Sequence, residues 1–242
     1  MGDCEQDDSD DSDGAAYFHR MRLLSGATLV PEIDKQIVYA RAEIMNNVHE
    51  FVVNEGMSSK RGNTYLNFSS GNRDMKKSFQ VLDKNYCYMH RFELHCGINW
   101  REIWRIFWID DPHIKENMFT DMALVGMTST SEDEFFDIQY RSMCDVDRIS
   151  KMIIRHYNER VLPFFEKWSD YRKVKEEFFA LSDAARQITL LPSDMSRIAV
   201  AIALADGDRE LARKLIEEHG PHFKSEPKLE RFFETLRARG LV

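Results

Sequence analysis

Long apolar runs are missing from this 242-residue chain. None approaches the roughly 18 residues that a membrane-spanning helix needs, so no membrane partner is expected. The first residues are acidic, not basic followed by apolar, and no secretory signal is read there. The four cysteines, Cys4, Cys87, Cys96 and Cys144, form no C-x-x-C pair and meet no histidine at zinc-finger spacing. Reduced thiols in a soluble, cytoplasmic protein without a bound metal are the expectation. Neither G-x-x-x-x-G-K-[ST] nor G-x-G-x-x-G occurs, so nucleotide-loop readings fail and no cofactor is expected. Excess positive charge is lacking too. The net charge is -8, but residues 1–13 hold seven acids (Asp3, Glu5, Asp7, Asp8, Asp10, Asp11, Asp13) and no Lys or Arg. Taking those seven from 41 leaves 34 acidic against 33 basic residues. A body so balanced has no large positive field for a nucleic-acid backbone, and nucleic acid is not expected as a partner.

What is present is periodicity. Residues 1–15 repel themselves and have nothing to bury, which predicts a disordered acidic tail. From Glu32 to Glu55, Ile33, Ile37, Ala40, Ile44, Val48, Phe51 and Val52 recur at three- and four-residue spacing, a helix that Gly56 would end. The period then changes. Asn63–Phe68, Lys77–Leu82 and Met89–Ile98 alternate, with Phe92, Leu94, Cys96 and Ile98 on one face, and Gly71-Asn72 and Asp83-Lys84-Asn85 read as turns. Asn99–Ile109 fits a short helix with an Asn99/Glu102 capping box, although its tryptophans also share one face of a strand. Met122–Met127 and Phe135–Ile138 are further strands. Helix returns at Val146 with Ile149, Ile153, Tyr157, Val161 and Phe164 on one face, and Pro163 is expected to bend or break it. Another helix covers Tyr171–Leu181. Ser193–His219 is a helical hairpin, with Ala199, Ala201, Ala203 and Ala205 permitting close approach and Asp206-Gly207-Asp208 turning the chain. Leu229, Phe232, Phe233 and Leu236 face inward from a last helix. The expected fold is α+β: an antiparallel sheet packed by an N-terminal helix and a long helix (residues 16–168), followed by an all-α helical-hairpin extension (169–242) packed on that body.

Chemistry-bearing residues are few. Lys60 and Arg61 before Gly62 form a basic glycine turn whose amides and side chains suit an anion, or which merely feeds a strand. Trp100, Trp104 and Trp108 lie on one helical stripe; exposed, they would anchor a partner, and buried they would be core. Asp110, Asp111 and His113 combine two carboxylates and an imidazole beside that aromatic wall, the makings of an acid–base or cation site. The alternative is an Asp-Asp-Pro surface turn in which water stabilises both charges. His90 and His95, five apart in a strand, point to opposite faces, and His219 sits at a helix end; neither place suggests a metal site.

The helix ending in Asn54-Glu-Gly-Met57, Lys60-Arg-Gly-Asn-Thr-Tyr65, Phe92–Ile98, Phe135–Ile138 and Leu162-Pro-Phe-Phe165 together resemble the bacterial domain-of-unknown-function 4304 family over about residues 32–168. The chain departs from that family at Met122–Met127, apolar where a basic residue is expected. The resemblance implies an α+β domain and supplies no catalytic residues. The reading that follows is a non-enzymatic, bacterial interaction protein, immunity-like in sequestering a protein partner through Trp100, Trp104, Trp108, Lys60 and Arg61. The alternative is a hydrolase or transferase acting at Asp110, Asp111 and His113.

Overall fold

The first apolar stripe folds as α1 (Val30–Asn54). Ala40, Ile44, Met45, Val48 and Val52 are buried along it, at the spacing that aligns one helical face. Gly56 ends the helix at φ 89°, its amide donating to Val53 O at 2.9 Å. A left-handed residue satisfies the terminal carbonyls, and only glycine takes it without strain. The chain is described here by a computed structural model over residues 30–85, 90–114, 118, 123–128, 138–189, 192–219 and 227–242. The acidic run of residues 1–15, with Cys4, Cys87 and the expected strand 135–137, lies outside those residues.

The protein is α+β, with one six-stranded antiparallel sheet. Its strands are β1 (Ser58–Arg61), β2 (Tyr65–Gly71), β3 (Met75–Asn85), β4 (His90–Trp100), β5 (Val125–Thr128) and β6 (Ile138–Tyr140). They run in the order β1-β2-β3-β4-β5, with β6 also on β4. β5 takes His95–Ile98 of β4 and β6 takes His90–Phe92. Phe92, Leu94, Cys96 and Ile98 are buried on one face as the alternation predicts. The Gly71-Asn72 turn forms: Asn72 Oδ1 accepts the amides of Asp74 and Met75 at 2.8 and 2.9 Å. Asp83-Lys84-Asn85, expected as a turn, instead continues β3, while the basic glycine turn forms at Gly62, with Lys60 and Arg61 ending strand β1 just before it.

After β4 come α2 (Arg101–Phe107), then α3 (Val146–His156), a π-helical turn (Tyr157–Val161) and α4 (Leu162–Trp168). Pro163, expected to bend or break this run, sits in the first turn of α4, directly after the π-helical turn. The α-helix is interrupted there by the wider turn, which accommodates the missing N–H before α4 resumes. Next are α5 (Tyr171–Phe179), α6 (Asp183–Arg186), α7 (Pro192–Ala205), α8 (Arg209–His219) and α9 (Pro227–Ala238). Among the described residues no helix is long and apolar enough to cross a membrane.

Two compact units divide the chain. The first holds the residues up to Leu66, Gln80–Leu94 and Ser129–Asn158. Within it α1 packs against α3, joined by Asn47 Nδ2 donating to Ser150 Oγ at 3.2 Å and by the Phe51 and Tyr157 rings, edge-on at 6.1 Å. The second holds Asn67–Phe79, His95–Thr128 and Glu159–Val242. Here α7 is central: Ile198 to Ala203 are at most 1% exposed. It packs against α8, α2, α5 and α9. Gly207 turns the hairpin at φ 80°, and Asp208 Oδ1 caps α8 at the Leu211 amide. The helices after Trp168 share this unit with α2 and β5.

Cys144 is disulfide-bonded, which overturns the expectation of reduced thiols at that position. Cys96 is a free thiol, 5% exposed, and burial pushes it up to about 12. At pH 8 roughly one Cys96 in 10⁴ would be thiolate, and the thiolate is the nucleophile. Iodoacetamide alkylation at that pH, located by peptide mass mapping, is expected to modify Cys96 only after denaturant is added; modification of Cys96 in the native chain at the rate of a free thiol would show that β4 opens.

Candidate functional site

α2 ends where its helix meets the Asp-Asp-Pro sequence, and the three tryptophans stay inside. Trp100 is 9% and Trp104 3% exposed, and Trp108 is half-buried with its ring edge-on to Phe107 at 4.9 Å. Trp100 and Trp104 belong to the core and only Trp108 keeps partial exposure, so the three rings do not form one aromatic face for a partner. Asn99 does not cap the helix; its Oδ1 accepts the Leu124 amide at 2.6 Å.

Asp110 departs from the surface-turn expectation. Its side chain is 1% exposed, and both oxygens hold guanidiniums: Arg197 at 2.7 Å and Arg231 at 3.1 Å. The same Arg197 Nη2 donates to Phe107 O at 2.5 Å, and the guanidinium lies 4.3 Å from the Phe107 ring centre and 4.9 Å from that of Phe232. Burial pulls the Arg197 guanidinium down from the usual arginine range, while the Asp110 carboxylate opposes the shift. Arg239 adds a donor to Ile109 O at 3.2 Å. Cations meeting the carbonyls and carboxylate at a helix C-terminus are a stabilising arrangement. Asp111 behaves as a turn residue, accepting the His113 amide at 2.9 Å, and His113 is exposed. Asp110 and Asp111 are thus divided between an ion pair and a turn, and do not form an acid–base pair. One sequence signal pointed to the ion pair: Arg197 stands alone in the apolar run Met195–Ala203, and a buried cation demands a counter-charge.

The basic turn has the better geometry for recognition. Val38, Ala42 and Met45 follow one another at helical spacing on α1 and, with Arg41, form one wall of a groove of about 360 Å³. Arg61, Gly62 and Asn63 form the other wall, where β1 turns into β2. Gly62 donates its amide to Tyr65 O at 3.0 Å, and a Cβ there would stand 2.2 Å from the Tyr65 ring. Arg61 is exposed and donates to the neutral Asn46 Oδ1 at 2.5 Å, keeping its charge uncompensated by that contact. Lys60 is exposed beside it and is not part of the lining.

Arg41 is held from behind. Its Nη1 lies 3.1 Å from Asp83 Oδ2, a carboxylate 1% exposed. The other Asp83 oxygen accepts the Tyr140 hydroxyl at 2.8 Å and faces His90 Nδ1 at 3.4 Å. Burial, then the Asp83 charge and hydrogen bond, raise the Tyr140 phenol above the usual tyrosine range, so it remains a donor. The sequence reading found Lys60 and Arg61 but missed Arg41 and Asp83. The available signal was Asp83 falling in step with Phe79 and Val81 on the inner face of β3. Among the described residues no group of His, Cys, Asp and Glu is placed to hold a metal ion.

Two stability measurements follow. Asp110→Ala leaves Arg197 buried without its closest counter-charge, and urea unfolding is expected to show a loss of about 3–5 kcal/mol. Asp111→Ala should cost less than about 1 kcal/mol, as surface changes do; equal losses would contradict the ion-pair assignment. Tyr140→Phe leaves one Asp83 oxygen short of a donor and is expected to cost about 1–3 kcal/mol in the same assay.

Comparison with protein-family models, with curated proteins and with solved structures finds no match for this chain.

Proposed function

We propose that this protein is a binding protein that holds an acidic segment of a protein partner in the groove between α1 and the β1–β2 turn. One observation carries the reading: two guanidiniums, Arg41 and Arg61, flank an apolar wall in an open groove whose lining, among the described residues, contains no carboxylate. An arginine presents its donors in a planar fork that suits carboxylates, and Arg41 is already oriented by Asp83. Val38, 46% exposed, adds apolar contact at the rim, and Lys60 adds charge beside it. Among the described residues the lining has no nucleophile or general base, and a binding role fits it better than a reaction. The immunity-like, sequestering role belongs to this proposal, as does the likeness of residues 32–168 to the domain-of-unknown-function 4304 family. The hydrolase or transferase alternative loses its support where Asp110 is taken up by Arg197 and Arg231. The disulfide at Cys144 weighs against the cytoplasmic location expected from the sequence, because such bonds persist mainly in oxidising compartments.

The probe is fluorescein-labelled hexaglutamate, followed by anisotropy in 20 mM salt. The full chain is expected to bind it, and Arg61→Gln to bind at least ten-fold more weakly with an unchanged melting temperature. Lys167→Gln, an exposed lysine on α4, serves as the control and should bind as the native chain does. Binding that survives Arg61→Gln undiminished would remove the groove from the account.

A further inference from the structure

We infer that the groove has an occupant within the same chain: the acidic run from Asp3 to Asp13, which an acidic partner segment must displace. This rests on the reading of the groove given above. Charge selects the pairing. The run carries seven acids and no cation, while the rest of the chain is close to neutral overall. The groove brings together two guanidiniums, with Lys60 alongside and, among the described residues, no carboxylate in its lining. Arg41 already faces Asp83, so Arg61 supplies the cation that is not matched by a neighbouring acid in its own contact.

Chain length permits it. Arg41 stands 11 residues beyond Val30, where α1 begins; at the helical rise that is about 17 Å along the axis. The 17 residues from Asp13 to Val30 can span up to roughly 56 Å when extended. The run therefore reaches the groove with ample slack. A tethered segment faces its site at an effective concentration of order millimolar, so even a weak intrinsic contact would keep the groove occupied and reduce the apparent affinity for a competitor. Such a contact is electrostatic and exposed, and salt would weaken it.

The test compares the full chain with a full-length variant in which the run is neutralised (Asp7→Asn, Asp8→Asn, Asp10→Asn, Asp11→Asn, Asp13→Asn). Labelled hexaglutamate in 20 mM salt is expected to bind the neutralised variant about ten-fold more tightly than the native chain. That advantage should vanish in 0.5 M salt. In ¹⁵N spectra recorded without any probe, the amides of Gly62 and Asn63 should shift between native and neutralised chains, and Arg61→Gln should abolish the difference. Equal hexaglutamate affinities together with unshifted amides would overturn the inference while leaving the groove as a binding site. If neither chain binds hexaglutamate but the amides still shift, the acidic run docks and the partner reading is what fails.

Discussion

Arg197 lies on α7 between Ser196 and Ile198, in a helix whose next five residues are entirely out of water. A cation there costs several kcal/mol in lost hydration unless a counter-charge and further acceptors replace the water. Asp110 and the Phe107 carbonyl provide both, through a single guanidinium nitrogen. The Phe107 and Phe232 rings cover the guanidinium. These contacts place the end of α2 against α7 and bring α9 to the same point through Arg231 and Phe232. Trp104, the tryptophan within α2, is buried along with Ile103 and Phe107 of the same helix.

The groove obeys the same chemistry with a different outcome. Asp83 is as buried as Asp110, but its arginine partner is partly exposed, at 19% against 5% for Arg197. In one place the pair is closed off and serves architecture; in the other the guanidinium is fixed on its inner side and remains accessible on its outer side. A preset cation loses less freedom on meeting a ligand than a mobile one, which is why a buried carboxylate behind an exposed arginine suits recognition. The Tyr140 hydroxyl completes the support by occupying the second Asp83 oxygen.

Much of this fold was legible because local sequence carries periodicity. The α1 stripe, the alternation of Phe92, Leu94, Cys96 and Ile98, the Gly71-Asn72 turn and the Asp206-Gly207-Asp208 hairpin all rest on contacts within a few residues. The misread places share a cause. Asp83-Lys84-Asn85 has turn composition, yet pairing within the sheet keeps it extended. The three tryptophans have the spacing of both core and surface anchor, and spacing alone does not say on which side another helix will lie.

The sequence by itself determined the α+β class, the helical hairpin, the near-neutral body and the candidate cations Lys60 and Arg61. Tertiary structure decided which charges meet. Asp110 finds Arg197 across 87 residues and Arg41 finds Asp83 across 42. No local period encodes such a distance, because the pairing depends on which apolar faces are buried together. Once those faces close, water is withdrawn from the charges between them, and each must find its counter-charge in whatever segment the fold brings alongside.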